Sequence, residues 1–282
     1  MSAVPANGAS AHAVSPQPPW PPASRPVWRA LCAEADALGQ AETLLRPWLV
    51  RTVLASDGLG QALSRLLAGK LCTSDIAREP LGAALAQAFA AAPGVLAVCC
   101  RDLQAIVERD PSTDDLLTAF LFHKGFHALQ THRAAHWHWH QRRRGLAALL
   151  QNRASEVFAV DIHPAARIGS GVFIDHATGV VIGETTVVGD DVSMLQDVTL
   201  GGTGKDKGDR HPKVGRGVLL CAGAKVLGNI TLGDGARVGA GSVVLHHVAP
   251  HTTVVGVPAR ATLAARAVVE LQPPAHEVSH EP

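Results

Sequence analysis

From Ile162 to Val244 the aliphatic positions fall at intervals of six. Ile162, Ile168 and Ile174 keep the step, then Ile182, Val188, Met194 and Leu200, then Val214, Leu220, Val226, Leu232, Val238 and Val244. The residue after the aliphatic is often glycine, as at Gly183, Gly189, Gly201, Gly215, Gly233 and Gly239. Four positions after it comes a small or branched residue: Thr186, Val192, Val198, Val218, Ala224, Ile230, Ala236 or Ser242. A period of six is neither the 3.6 of a helix nor the two-residue alternation of a sandwich strand. It predicts a parallel β-solenoid with one hexad per flat face. Three hexads then close a triangular coil of about 18 residues, and the aliphatics of successive coils stack into a one-dimensional core.

The period breaks twice. Between Ile174 and Ile182 it slips by two, at Asp175-His-Ala-Thr-Gly179. Between Leu200 and Val214 the polar stretch Thr203-Gly-Lys-Asp-Lys-Gly-Asp-Arg-His-Pro-Lys213 is too long for a tight corner and predicts a loop thrown off the solenoid. Breaks in a regular scaffold, and long loops upon it, are where function is expected.

Ahead of the solenoid the pattern is helical. Apolar residues recur at three and four, as in Leu31, Ala35 and Leu38 or Leu44, Leu49 and Leu54. Gly58 and Pro80 punctuate the run. Ser74 and Ser112 are the expected capping residues of two helices, and Pro111 ends the segment before it, so Asp110 reads as a helix terminus. The organisation expected is a Pro/Ala-rich disordered tail over 1–27, a helical domain over 28–155, the solenoid over 156–262 and a flexible tail over 263–282.

Composition narrows the function. A chain of 282 residues with net charge +1 gives no electrostatic reason to bind nucleic acid or an anionic membrane. No apolar run is long enough to span a bilayer, and the start has neither the basic nor the apolar segment of a secretory signal. Cys32, Cys72, Cys99, Cys100 and Cys221 are odd in number and contain no CxxC, so neither a disulfide framework nor a zinc knuckle is expected. A cytoplasmic location follows as the default. His132, His136 and His140 are spaced to share a helical face and bind metal, but no acid accompanies them and Arg142, Arg143 and Arg144 would repel a cation. A structural or exposed role is expected there.

The candidate chemistry sits at the breaks. His176 has Asp175 beside it and Asp161 about one coil earlier, while Arg210 and His211 come about two coils later. Residues one or two coils apart lie on neighbouring positions of a stack, so these polar groups can converge while the aliphatics point inward.

Taken together, Asp161-Ile-His-Pro-Ala-Ala, Asp175-His-Ala-Thr-Gly, Val198-Thr-Leu-Gly-Gly-Thr-Gly-Lys205, Gly208-Asp-Arg-His-Pro-Lys213 and Gly256-Val-Pro-Ala-Arg260 resemble the serine O-acetyltransferase family. The helical half joins in through Arg109-Asp-Pro111 and Lys124-Gly-Phe-His-Ala-Leu-Gln130, so the resemblance spans about 28 to 262. It implies an α+β fold, an all-α N-terminal domain followed by a left-handed parallel β-helix, and trimers that pair into hexamers with active sites between adjacent β-helices.

It also implies acetyl transfer from acetyl-CoA to L-serine, the first step of cysteine biosynthesis, with no metal and no acetyl-enzyme. His176 would be the general base, with Asp161 holding its imidazole. Asp110 and Asp175 would bind the serine ammonium and Arg210 its carboxylate, with His211 in the same pocket. Gly202, Ala222 and Arg237 would line the coenzyme A groove, Arg237 standing where the family leads one to expect lysine. L-cysteine is implied as a feedback inhibitor. A complex with O-acetylserine sulfhydrylase is not expected, because the chain ends His280-Glu281-Pro282 without the terminal Ile.

Three other readings compete. One is acyl transfer to homoserine or an amino sugar. Another is a β-helical metal enzyme using three of His163, His176, His211, His246, His247 and His251. The third is a non-enzymatic scaffold.

Overall fold

The computed structural model describes residues 24–205 and 207–262. The tail expected over 1–27 lies outside the described residues as far as residue 23, as does the one over 263–282. Among the described residues eight α-helices come first: α1 (Ser24–Ala41), α2 (Arg46–Leu49), α3 (Leu59–Leu71), α4 (Arg78–Ala91), α5 (Pro93–Arg109), α6 (Leu116–Phe122), α7 (Lys124–His140) and α8 (Arg144–Phe158). A short π-helical turn, Val50–Leu54, follows α2. The helical region thus runs to Phe158, slightly past the expected boundary, and Ala159 turns the chain with φ 55° into the first strand. Among the described residues no single helix is long and apolar enough to cross a membrane.

The two serine caps expected from the sequence are not used. α4 begins after Ala77, which makes no side-chain cap, while the Thr73 hydroxyl accepts from the amides of Asp75 and Ile76 in a local turn. α6 begins after Asp115, whose carboxylate takes the Thr118 amide. Ser112 instead hydrogen-bonds back to Asp110. Capping is a competition among nearby acceptors, and a carboxylate accepts a helix-terminal N–H more strongly than a hydroxyl.

The second half is the three-faced solenoid. One face carries β1 (Val160–Ile162), β4 (Val180–Ile182), β7 (Thr199–Gly201), β10 (Lys225–Leu227) and β13 (Val243–Val244). The next carries β2 (Arg167–Ile168), β5 (Val187–Val188), β8 (Lys213–Val214) and β11 (Thr231–Leu232). The last carries β3 (Phe173–Ile174), β6 (Ser193–Met194), β9 (Leu219–Leu220), β12 (Arg237–Val238), β14 (Thr253–Gly256) and β15 (Ala259–Ala261). All pairings are parallel except β14 with β15.

The register measures each break. Ile182 pairs with Leu200 and Val226 with Val244, the regular step of eighteen. Ile162 pairs with Ile182, two residues more, and Leu200 with Val226, eight more. Val238 pairs with Val254, two fewer. That last shortening went unseen in the sequence, where the period simply fades. The aliphatics and the residues four after them point inward: Val188, Met194, Leu200, Val198, Ala224 and Ser242 are 0–2% exposed. Each fully buried aliphatic side chain contributes about 1.5–3 kcal/mol.

The helices dock on the first two coils through a buried polar joint. Asp102 on α5 is fully buried. It accepts from Arg133 and Gln130 on α7 with one oxygen, and from the Val172 amide at a coil corner with the other. Arg133 also donates to the carbonyls of Ile168 and Gly169. At the end of α5, Arg109 donates to the carbonyls of Gly171 and Asp191 and pairs with the Asp191 carboxylate at 3.2 Å. These contacts set where the next residue, Asp110, stands against the coil.

Candidate active site

Two extra residues at the corner between β3 and β4 make the first half of the site. They force His176 and Ala177 into the left-handed region at φ 54° and 60°, a conformation worth roughly 1–2 kcal/mol of strain for each non-glycine residue. Ala177 turns inward and is buried, while His176 stands outward with its side chain 70% exposed. The His176 Nε2 lies 3.5 Å from Asp175 Oδ2.

Opposite this corner are the end of α5 and the junction of α6 with α7. Between them lies a cavity of about 710 Å³ lined by Asp110, Ser112, His123, Lys124, Asp175 and His176, among others. Its walls meet at Gly125. A Cβ there would lie 2.0 Å from the Ile174 carbonyl oxygen, so only glycine lets α7 start against the coil. The adjacent Lys124 then reaches the Thr178 hydroxyl.

Asp110 caps α5 with its backbone and uses its side chain as an acceptor. Oδ1 takes the Ser112 amide at 2.9 Å and the Ser112 hydroxyl at 2.7 Å; Oδ2 takes the Thr113 hydroxyl at 2.9 Å. Burial alone would raise this carboxyl, but those donors, together with nearby His123, hold it below the usual carboxylate range. His123 Nε2 is 2.9 Å from Thr113 Oγ1 and 3.8 Å from Asp110 Oδ2. Burial lowers the His123 pKa, against the opposing pull of Asp110 and Asp175. The sequence did not mark His123. Its only signal was its place just before Lys124-Gly125-Phe126, where the helix must touch the coil.

The second half sits at a different corner, between the face of β4 and β7 and that of β5 and β8. Arg210 pairs with Glu184 at 2.8 Å, and this bond is the main cause of the lowered Glu184 pKa. The Thr185 hydroxyl accepts from the amides of Arg210 and His211. The His211 ring packs against Gly183, where a Cβ would come within 2.1 Å of it. Burial, then Arg210, lowers the His211 pKa. Lys213 ties the loop end to the carbonyls of Thr185 and His211.

Within one chain, then, Asp110, Asp175 and His176 share a cavity, and Arg210 and His211 share another corner. Asp161 lies on β1 and accepts from Gln151 at 2.6 Å rather than from His176. Gly202 follows β7 on the Arg210 side. Ala222 is on the His176 corner, its carbonyl taking the Gly241 amide one coil above. Arg237 faces outward on β12.

Three histidines of α7 are structural donors. His127, His136 and His138 bond the backbone carbonyls of Phe120, Pro164 and Ala84. Among the described residues no group of three or more His, Cys, Asp or Glu is arranged to hold a metal ion. Arg142 and Arg143 lie in the turn between α7 and α8, and Arg144 opens α8, stacked 3.4 Å over the Trp139 ring.

Residues 27–131 match the family described as "Serine acetyltransferase, N-terminal", and residues 211–246 the one described as "Bacterial transferase hexapeptide (six repeats)". The serine acetyltransferase of Salmonella typhimurium is 53% identical over 234 residues, covering 83% of this chain and 86% of its own. The soybean serine acetyltransferase complexed with serine superposes with a TM-score of 0.83 at 50% identity, covering 86% of this chain and all of its own. The Brucella abortus serine acetyltransferase in complex with coenzyme A superposes with a TM-score of 0.82 at 47% identity, covering 84% and 94%.

Proposed function

We propose, for a chain that belongs to the serine acetyltransferase family, a direct acetyl transfer from acetyl-CoA to the hydroxyl of L-serine with His176 as general base. The observation that carries it is the outward His176 on a left-handed corner, sharing a cavity with the carboxylates of Asp175 and Asp110. A serine hydroxyl is a poor nucleophile and needs a base in contact with it. A neutral imidazole serves near neutral pH.

The two acids suit the substrate ammonium, and Arg210, with a planar fork of donors, suits its carboxylate. The serine Oγ–H gives its proton to the imidazole as Oγ bonds to the thioester carbon. Collapse of the tetrahedral intermediate breaks the C–S bond, and the imidazolium returns the proton to the CoA thiolate. The products are O-acetyl-L-serine and CoA. Asp161 braces the imidazolium once the ring swings from Asp175 toward β1, a rotation open to so exposed a side chain.

Arg210 does not line the cavity that holds His176. One serine molecule touches both when the His176 corner of one solenoid abuts the Arg210 corner of another, and this supports a site shared between subunits of a trimer. Gly202 on one corner and Ala222 on the other suit a coenzyme A groove along the same seam, closed at one end by Arg237. L-cysteine, with the same ammonium and carboxylate, suits the serine subsite as an inhibitor. A cytoplasmic location is supported by five cysteines that are all free thiols.

The test is serine-dependent release of CoA thiol by the purified protein. Release with homoserine clearly faster than with serine would overturn the choice of acceptor. Release that survives His176→Ala would overturn the base.

A further inference from the structure

The cavity holds two titratable groups that acetyl transfer leaves without a role, Lys124, which reaches the Thr178 hydroxyl, and His123, which is bonded into the Asp110 cluster. His123 lies between the serine-ammonium acid Asp110 and the base His176, and it meets Asp110 through a shared hydroxyl. Thr113 Oγ1 is 2.9 Å from Asp110 Oδ2 and 2.9 Å from His123 Nε2. That hydroxyl has one proton. Asp110 is ionised and only accepts, and a bond to a charged acceptor is the stronger, so the Thr113 proton goes to Asp110. His123 must therefore carry its proton on Nε2 and donate it to Thr113. The order of donors is fixed: His123 to Thr113 to Asp110.

The chain of donors ties Oδ2, as Ser112 ties Oδ1, so the carboxylate plane cannot rotate. Burial, which lowers the His123 pKa, favours a neutral ring over a cation at 3.8 Å from the acid. Around that ring stand Asp110 and Thr113 from the loop after α5, and Asp175 and His176 from the coil corner. Lys124 follows it in the chain, and Thr118 and Phe122 come from α6. A proton added at Nδ1 would put a positive charge beside Asp110, in competition with the substrate ammonium.

We propose that His123 is a positioning residue for the amino group of the acceptor: its Nε2–H orients Thr113, and through it Asp110, so that an oriented anion faces the cavity. The inference rests on the serine reading of the site.

The experiment is steady-state kinetics of the full-length protein with His123→Leu, His123→Gln and Thr113→Val. Inhibition by glycerate, which has the hydroxyl and carboxylate of serine but no ammonium, is measured alongside. His123→Leu and Thr113→Val raise the KM for serine about tenfold, the worth of an oriented bond to a charged group. They leave kcat within about twofold and glycerate inhibition unchanged, as expected for lost binding rather than lost chemistry. His123→Gln, which keeps a donor, recovers most of the affinity. In the wild type the KM for serine rises as pH falls and His123 protonates, and this rise is absent in His123→Gln.

An unchanged KM in His123→Leu, or an equal loss of glycerate inhibition, overturns the relay. If His123→Leu does not assemble, Thr113→Val breaks the same relay with the histidine in place, and an unchanged KM there overturns it. A wild type that does not acetylate serine overturns the functional reading and the relay with it, whereas an active wild type with an unaltered His123→Leu overturns the relay alone.

Discussion

A Cβ built on Gly125 would lie 2.0 Å from the carbonyl oxygen of Ile174, so the first turn of α7 rests directly on the strand end that leads into Asp175 and His176. The backbone contact joins the helical domain to the His176 corner. Gly125→Ala must push α7 off the coil, because the obstructing atom is backbone and cannot rotate away. The expected result is a destabilisation of about 1–3 kcal/mol in urea unfolding, with a raised KM for serine. Unaltered stability and KM would show that the contact is not tight.

His176→Ala is expected to lower kcat by about 10²–10⁴, the usual worth of a general base, with the oligomer intact by sedimentation. A loss of activity accompanied by loss of assembly would make the residue structural.

Arg210→Lys keeps the charge and removes the bidentate fork. The KM for serine is expected to rise about tenfold or more with a smaller effect on kcat. If kcat falls and KM does not, Arg210 serves the chemistry rather than the carboxylate.

The proposal of a site shared between subunits has a sharper test. Trimers assembled from a mixture of His176→Ala and Arg210→Ala chains contain some seams with an intact histidine on one side and an intact arginine on the other. Random mixing should restore roughly a quarter of wild-type activity, as a heterologous interface between unlike chains requires. Two inactive parents whose mixture stays inactive after verified subunit exchange would place both residues in one chain's site.

Buried imidazoles on α7 set the acid limit of stability. Burial holds His127 down at about 3 and His132 well below the ordinary histidine value. A histidine whose folded pKa is depressed keeps its full contribution above its unfolded value and loses it as pH falls toward the folded one. Stability should therefore be level above about pH 7 and fall as pH drops from about 6.5, with net proton uptake on unfolding at pH 5. Proton release there would reverse the sign and rule out these imidazoles as the cause.

The hexads were legible because a solenoid core is local. Each coil buries residues six apart in sequence, so Val188, Met194 and Leu200 declare their faces without knowledge of anything distant. The slip at Asp175–Gly179 and the loop at Thr203–Lys213 were visible as faults in that rhythm. The shortening before β14 was not, because the residues there no longer keep the aliphatic period against which a fault is measured. Helix starts were misjudged at Ser74 and Ser112: α4 begins only after Ala77 and without a side-chain cap, and at α6 the Asp115 carboxylate takes the helix-terminal amide.

The amino-acid order alone determined the coil, its period, the exposed imidazole at 176 and the resemblance that pointed to the chemistry. The tertiary structure decided what meets what. It set Asp110 beside His176 through Arg109 and Asp102, contacts that reach 60 to 90 residues along the chain. It brought in His123, and it put Arg210 on another corner. Period is a property of neighbouring residues and survives in one dimension. The meeting of a helix end with a coil corner depends on the packing of whole elements, which no local pattern encodes.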